Sequence, residues 1–301
     1  MKFSIRLTNK ILGKNCYNIG FIKNANLEEV VNTPYSDIIW LNLNGYTNGW
    51  FADPFIFKVN EDTIEVLVEE FEYLSNKGRI CKIIVSLKDF KLLKVIPLLI
   101  LDTHLSYPAI YEINGEKYVC PENCSSGSVK MYQLKDDNLI NPCVLINEPL
   151  IDVQIKEING SFYAFGVKHI KGLGLTETKE LRIYKSSEFL GEYKYIQTIE
   201  NKLCEERGAG HFIQLDDNLI RPAQCCEGGF YGKEIIFYLV SETNGMFEEK
   251  EIFRMSGDFW KRWGLGMHQF HSDDGFTVVD GFDKSKLLGR IVKRLEYFNR
   301  Y

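Results

Sequence analysis

The sequence predicts an all-β chain, a five-bladed β-propeller closed by an N-terminal strand. Three observations carry this expectation. Aromatic residues make up 13% of the 301 positions, from 20 Phe, 16 Tyr and 4 Trp, while alanine is scarce; aromatic and β-branched side chains suit a pleated, half-buried surface better than a helix. One short pattern, small or apolar residues leading into an apolar strand, occurs five times. The fifth occurrence runs out one strand short, and an unassigned strand-like segment, 16–23, precedes the first.

The five segments are 50–57, 105–111, 150–155, 208–213 and 266–270. Aligning Asp53, Tyr107, Asp152, Gly210 and His268 gives steps of 54, 45, 58 and 58 residues. Four strands with their turns need about that length, since WD-type blades run ~40–45 residues. Blades are expected to start near 50, 104, 149, 207 and 265, within one domain spanning 1–301.

Each blade then follows one order. In the first, a turn at 60–62 leads to strands at 64–71, 79–87 and 92–100. In the second, Asn114-Gly115 precedes 117–120 and 129–134. In the third, Asn159-Gly160 precedes 161–167 and 180–185. In the fourth, Asp216-Asp217 precedes 219–224, 234–240 and 249–255. In the fifth, Asp274-Gly275 precedes 276–282 and 290–297, and the segment 16–23 is expected to supply the missing outer strand. Asn-Gly and Asp-Gly are strong hairpin signals, and radial repetition leaves only short sheet edges exposed. A pair of β-sandwiches, whose strands recur every ~8–12 residues, is the competing architecture.

Charge narrows the function. The chain has 36 basic and 41 acidic residues, a net charge of −5 and a pI near 5.7. Duplex binding needs a basic face, so nucleic acid is set aside. The N-terminus lacks the apolar core of a secretory signal, and no stretch reaches the ~18 apolar residues of a membrane span. A cytoplasmic location is therefore expected, with the eight cysteines remaining thiols. Cys120 with Cys124 and Cys225 with Cys226 are the only close spacings. They do not supply the two spaced pairs of a structural zinc site.

In a propeller the first strand of each blade lines the central channel, and its start opens on one face. The anchors therefore bring Asp53, Tyr107, Asp152, Gly210 with His211, and His268 around one funnel. The second strands and the loops after them add Glu69 or Glu70, Glu122, Arg221, Gln224 and Asp280. Carboxylates, His, Arg and aromatics together suit a polyhydroxylated ligand such as a sugar. Ordinary structural roles compete at each position. Asp53 before Pro54, like Asp152, can equally satisfy turn N–H groups. Glu69 and Glu70 face opposite sides of a strand, so only one reaches the funnel. Arg207 and Arg221 fit either an anion or hydroxyl clamp or a salt bridge between blades. His104 and His211 flank the anchors as candidate substrate contacts. His268 is either a hydrogen-bonded core histidine or a neighbour, through water, of a calcium ion in the channel. Calcium prefers oxygen ligands, so direct ligation by His268 is not expected, and no other cofactor is.

Phe-Ala-Asp-Pro at 51–54 resembles the first-blade motif of the five-bladed propellers of glycoside hydrolase family 43, whose Asp is the general base. Ile151-Asp152 resembles the third-blade motif, whose Asp orients the acid and tunes its pKa. Gly208-Ala-Gly-His-Phe212 is similar in placement to the fourth-blade motif, normally Glu-Gly-Pro-His, whose Glu is the general acid. Here Gly208 stands in the position of that Glu, although an inverting glycosidase needs both an acid and a base.

A closer resemblance covers nearly the whole chain from Trp50 onward. It rests on Phe51-Ala-Asp-Pro-Phe, Glu69-Glu-Phe, Lys77-Gly-Arg-Ile, His104-Leu-Ser-Tyr-Pro, Pro121-Glu, Arg207-Gly-Ala-Gly, Arg221-Pro-Ala-Gln and Tyr231-Gly. These look like the propeller domain that precedes the transferase domain in glucosamine inositolphosphorylceramide transferases, with similar stand-alone proteins in bacterial surface-glycan clusters. In the plant proteins the transfer chemistry is assigned to the other domain, so this resemblance speaks more for sugar binding than for catalysis.

Together the resemblances imply a carbohydrate-active protein of glycan assembly. Its action is glycosidase- or glycosyl-transfer-like, on a nucleotide-activated or lipid-linked sugar. Asp53 would be the general base and Asp152 would tune the acid, with the acid drawn from Glu70, Glu122 or Glu206. Tyr107, Arg207, Arg221, Gln224, His268 and Asp280 would join His104, His211 and Glu122 around the substrate. The alternative is a non-catalytic sugar-binding module or partner subunit of a glycosyltransferase, because Gly208 replaces the usual acid. A weaker third reading is a protein-interaction propeller with its aromatics on the outer top rim.

Overall fold

The computed structural model describes residues 13–286 apart from 24–26, 169–179, 201–206, 227–230 and 258–260, together with Leu288 and Ile291. In chain order the first elements are β1 (Asn15–Lys23), a short helix α1 (Leu27–Val31) and β2 (Ile39–Trp40). Blade 1 then holds β3 (Gly49–Val59), β4 (Thr63–Glu72), β5 (Lys77–Ser86) and β6 (Leu92–Leu99). Blade 2 holds β7 (Ser106–Ile113), β8 (Glu116–Glu122), β9 (Val129–Lys135) and β10 (Asn138–Ile146). Blade 3 holds β11 (Leu150–Ile158), β12 (Ser161–Lys168), β13 (Glu180–Ser186) and β14 (Lys194–Glu200). Blade 4 holds β15 (Ile213–Leu215), β16 (Asn218–Cys225), β17 (Glu234–Thr243) and β18 (Met246–Ser256). Blade 5 is completed by β19 (Phe270–Asp273) and β20 (Phe276–Lys284). All five sheets are four-stranded and antiparallel, arranged as a propeller; blades 1 to 4 are meanders, and blade 5 has the order β19-β20-β1-β2.

The core lies between blades. Each sheet is covered on both faces, which is why its second strand is buried at consecutive positions, as at 66–70 of β4 and 277–283 of β20, rather than at alternate ones. Ile19, Phe21 and Val278 of blade 5 pack on Phe51, Val66 and Ile83 of blade 1. Phe55 and Leu67 of blade 1 meet Ala109 and Val119 of blade 2, and Met131 and Leu145 of blade 2 meet Val153 and Ala164 of blade 3. Phe165 and Ile183 of blade 3 meet Val240 and Phe247 of blade 4. Ile220 and Phe237 of blade 4 close the circle on Ile22 and Val279 of blade 5. At ~1.5–3 kcal/mol for each large aliphatic or aromatic side chain fully buried, these five seams supply the main cohesion.

Closure differs in one detail from the sequence expectation. The N-terminal strand β1 does close the ring, pairing with β20 from Asn15↔Lys284 to Lys23↔Phe276. It occupies the third position of blade 5 instead of the outermost one, which goes to the two-residue β2. The third strand expected at 290–297 lies almost wholly outside the described residues. The N-terminal strand takes its place because Ile19, Phe21 and Ile22 bury fully only between β20 and a neighbour.

The anchors share a backbone feature that no composition argument would reveal. In blades 1 to 3 the pairing of the first two strands slips between Ala52 and Phe55, Ser106 and Ala109, and Ile151 and Gln154. Within these bulges Asp53, Tyr107 and Asp152 have φ of 51°, 45° and 47°. Positive φ is uncommon for a non-glycine residue, and a bulge re-aims a side chain. Blade 4 uses glycine at the same place: Gly210 has φ 136°, and a Cβ there would stand 1.8 Å from the Phe270 carbonyl oxygen. Replacement of Gly210 by alanine is therefore expected to cost at least about 3 kcal/mol through backbone strain and displacement of β19. Urea unfolding checks this, the midpoint falling while the slope holds.

Candidate functional site: a carboxylate-lined funnel

The funnel is built on Asp280, a fully buried carboxylate of β20. Its Oδ1 accepts the backbone N–H groups of His268 and Gln269 at 3.0 and 3.1 Å. Its Oδ2 accepts the N–H of Asp53 at 3.1 Å and lies 2.5 Å from His268 Nδ1. Asp53 in turn accepts the N–H of Tyr107 at Oδ2, 2.9 Å, and turns Oδ1 towards His268 Nε2 at 3.7 Å. One chain of polar contacts thus fixes blade 5 to blade 1 and blade 1 to blade 2. Tyr17 stacks on the His268 ring at 4.8 Å, and Tyr231 meets it edge-on at 5.2 Å.

On the other side stands Asp152. Arg207 donates Nε to its Oδ2 at 2.9 Å and brings Nη2 to 2.8 Å of the same oxygen, which Gln224 Nε2 also reaches at 2.9 Å. The Arg207 guanidinium lies 4.9 Å over the Tyr231 ring, and its Nη1 is buried with no hydrogen-bond partner. That spare donor suits an oxygen of a ligand.

Two glutamates occupy equivalent places in neighbouring blades. Glu69 is paired across the sheet with Ala52, and Glu122 with Ser106, each beside the bulge. Glu122 accepts Ser106 Oγ at 3.2 Å and Cys124 N–H at 2.8 Å. Glu69 is buried, with Oε1 3.3 Å from His104 Nε2 at the rim, where the His104 side chain is 42% exposed. Trp50 stacks on Phe71 at 4.8 Å and meets Tyr17 at 5.1 Å, so the mouth is edged with aromatic side chains.

Crowded acids in a buried place shift one another. Burial pushes the Asp53 carboxyl up to about 7; His268 pulls it down, and Asp280 and Asp152 push it further up. Burial, with Asp53 and Glu122 nearby, holds Glu69 well above the ordinary carboxylate range. Burial also raises Asp152, against the opposing pull of Arg207. For His268 burial acts downward, but the Asp280 carboxylate outweighs it and raises the imidazole above its usual value.

Of the residues expected here, Asp53, Asp152, Glu122, Arg207, Gln224, His268 and Asp280 converge, with His104 at the rim. Four placements differ. Glu70 faces away from the funnel and is held by Arg79 at 3.0 and 3.2 Å, by Cys81 and by the Tyr46 hydroxyl. Burial opposes its ionisation, yet these bonds keep its carboxyl below the usual value. Glu69 is the member of the pair that turns inward, because strand alternation sends Glu70 to the opposite face. Arg221 is fully buried inside blade 4, forked onto Glu249 at 2.5 and 2.9 Å, and is a structural ion pair. Tyr107 forms part of the floor, its hydroxyl donating to the Gly210 carbonyl at 2.9 Å and accepting the Gly210 N–H at 3.0 Å. His211 packs among Phe55, Tyr111 and His271, where burial lowers it to about 4. Glu206 lies outside the described residues. Tyr17 joins the site unforeseen; its only signal was that the closing strand must pass the fifth anchor.

Direct cation ligation by the funnel acids can be judged on donor chemistry. Asp53, His268 and Asp280 bring ligand atoms within 4.8 Å of one another. Both Asp280 oxygens already serve backbone N–H groups, and calcium takes six to eight oxygens. As direct ligands the trio does not fit calcium. Gly208 is equally constrained, since a Cβ there would stand 2.4 Å from the Asp152 carbonyl oxygen and 2.9 Å from the Tyr107 hydroxyl. No glutamate can occupy that position without moving the backbone.

Comparison with solved structures supports the architecture. The exo-β-1,3-galactanase of Phanerochaete chrysosporium superposes with a TM-score of 0.53 at 11% identity, covering 69% of this chain and 51% of that one. An exo-1,5-α-L-arabinanase from a bovine ruminal metagenomic library gives 0.51 at 12%, covering 69% and 80%. At such identity the likeness concerns the fold alone. Among curated sequences, glucosamine inositolphosphorylceramide transferase 1 of Arabidopsis thaliana is 30% identical over 202 residues, 64% of this chain and 26% of that protein. Its counterpart in Oryza sativa subsp. japonica is 27% identical over 215 residues, 69% of this chain and 28% of that protein. The chain thus spans little more than a quarter of these relatives' length. The family described as glucosamine inositolphosphorylceramide transferase 1, N-terminal, matches residues 18–273, from the closing strand to the fifth blade, and this chain belongs to it.

Proposed function

We propose that the funnel binds the glycosyl group of a nucleotide-activated or lipid-linked sugar and acts on it in a glycosidase- or glycosyl-transfer-like reaction, with Asp53 as general base. The observation that carries this reading is the protonation pattern of the funnel. Asp53 sits at about 7, so near neutral pH it can take a proton from water or an acceptor hydroxyl. Glu69, on the adjacent strand, is held in its protonated form by burial and by its acidic neighbours. A pair of carboxyls with distinct environments is the usual means of running acid and base chemistry together, and Glu69 takes the acid role that Gly208 cannot supply. Arg207, with its unspent Nη1, holds an oxygen of the substrate while pulling the Asp152 carboxyl down against its burial. The stacked pair of Trp50 and Phe71 borders the place of the sugar ring.

A second reading, a sugar-binding module serving a separate glycosyltransferase, is favoured by one observation: Gly208 leaves no room for the acid of the related hydrolases. Mass-spectrometric turnover of nucleotide sugars and aryl glycosides separates the two. For the enzyme, Asp53→Asn and Glu69→Gln each lower turnover by about 10²–10⁴-fold, while Glu70→Gln acts through stability alone. For the module, wild type shows no turnover, yet a sugar raises the melting temperature of wild type and Asp53→Asn alike.

Two pH effects follow from the raised Asp53. The rate falls as pH drops through about 7, because the base becomes protonated, and Asp53→Asn loses that limb of the profile. Stability moves the opposite way. A carboxyl whose folded pKa exceeds its unfolded value favours the fold when protonated, and that contribution is lost as pH rises through the folded value. Scanning calorimetry is expected to show wild type losing melting temperature relative to Asp53→Asn as pH rises from about 4 to about 7, the difference staying constant above that.

A further inference from the structure

One oxygen of Glu69 is short of a partner. Its Oε1 is buried and makes no hydrogen bond. The group set against it is the imidazole of His104, on the loop between β6 and β7, with Nε2 at 3.3 Å. A buried acceptor beside a ring nitrogen is a pairing that needs only a proton in the right place, and the loop decides where that proton is.

The loop is tied to β5 through successive residues. Lys77 Nζ donates to the Asp102 carbonyl at 2.8 Å, and the Leu105 N–H donates to the Gly78 carbonyl at 3.1 Å. Between them the Gly78 N–H donates to His104 Nδ1 at 2.9 Å. A backbone N–H only donates, so Nδ1 is the acceptor, and the proton of the neutral ring sits on Nε2, towards Glu69. Burial lowers the proton affinity of His104, which keeps the ring neutral. The arrangement also requires glycine at 78. A Cβ there would stand 2.6 Å from Glu69 Oε1, 2.8 Å from His104 Cε1 and 2.3 Å from the Leu105 carbonyl oxygen.

We propose that His104 is the positioning residue of the acid: its Nε2–H donates to Glu69 Oε1, so that the Glu69 proton is carried on Oε2. The inference rests on the reading of Glu69 as a protonated acid. His104 itself gives up no proton, because its Nδ1 lone pair is taken by Gly78 and loss of the Nε2 proton would leave an imidazolate. What it supplies is a fixed donor. Before transfer that donor meets a neutral carbonyl oxygen. Once Oε2 has passed its proton to a leaving oxygen, the donor meets a carboxylate, and the bond strengthens with the charge. Asp53, Glu122, Asp280 and Asp152, the acids that surround Glu69, all oppose that charge, so a donor on Oε1 offsets them when it is needed.

Infrared difference spectroscopy tests this without requiring turnover. The C=O stretch of a protonated carboxyl is separate from the bands of ionised ones, and the Glu69 band is the one that Glu69→Gln removes at neutral pH. Two variants withdraw the donor. His104→Asn keeps an acceptor for the Gly78 N–H but ends short of Glu69, and His104→Phe keeps a planar ring. In whichever of them keeps its melting temperature, the band is expected to move to higher wavenumber. In His104→Gln, whose amide N–H reaches Oε1, it is expected to return towards its wild-type place. With a substrate that wild type turns over, kcat falls at least about tenfold in the donor-less variants while KM changes little, and His104→Gln recovers part of the loss. A Glu69 band that stays in place without the donor overturns the proposal, even where turnover is normal. Absence of any Glu69 band in wild type overturns it too, since Glu69 would then be ionised. A band that shifts as described, in a protein that turns over nothing, supports the hydrogen bond and overturns the enzyme reading instead.

Discussion

Everything at the centre of this propeller depends on a buried carboxylate that is satisfied by backbone. Asp280 accepts N–H groups from two segments, the approach to β19 and the bulge of β3, and lies against the His268 imidazole. A charge buried this deeply is tolerable only when its lone pairs are taken. Its acceptors are spent on structure, which is why Asp280 positions Asp53 without itself being free to meet a substrate or a cation. The raised proton affinity of Asp53 follows first from its own burial and then from the neighbouring carboxyls of Asp280 and Asp152.

The bulges convert a repeat into a site. A regular inner strand would alternate its side chains between the two neighbouring blade interfaces. The slip at Asp53, Tyr107 and Asp152, with positive φ at each, breaks that alternation once per blade and at the same height. Where the ring needs the backbone itself to pass close to a neighbour, glycine takes the place, as at Gly210 against Phe270. Strained residues of this kind persist only where the surroundings over-determine them, and here the interblade hydrogen bonds do so.

The blade count, the five anchors and the closure by the N-terminus were legible in the sequence because turn chemistry and the spacing of apolar strands are local signals. The choice between Glu69 and Glu70 was not, since it depends on which face of β4 looks inward, and that register is set by the bulge opposite, at Ala52. Arg221 was misplaced for a related reason. Its forked partner Glu249 sits two strands away on β18, a pairing that nothing near Arg221 in the sequence signals. The exchange of third and outer strands in blade 5 was hidden too, because Ile39 and Trp40 are too short a pair to read as a strand.

The place of β1 has a kinetic consequence. β1, the earliest described strand, is held between β2 and β20, and its Asn15 pairs with Lys284. Blade 5 therefore cannot form until the chain has been made through Lys284, whereas blades 1 to 4 are each continuous in sequence and can assemble in order. Until then β1 is an apolar strand with no partner on the β20 side, the kind of transient edge that invites association with other chains. Contacts of such long sequence separation also slow the final step, because chain entropy is spent before the contact forms. The closure that holds the ring shut is thus also its slowest and most exposed event.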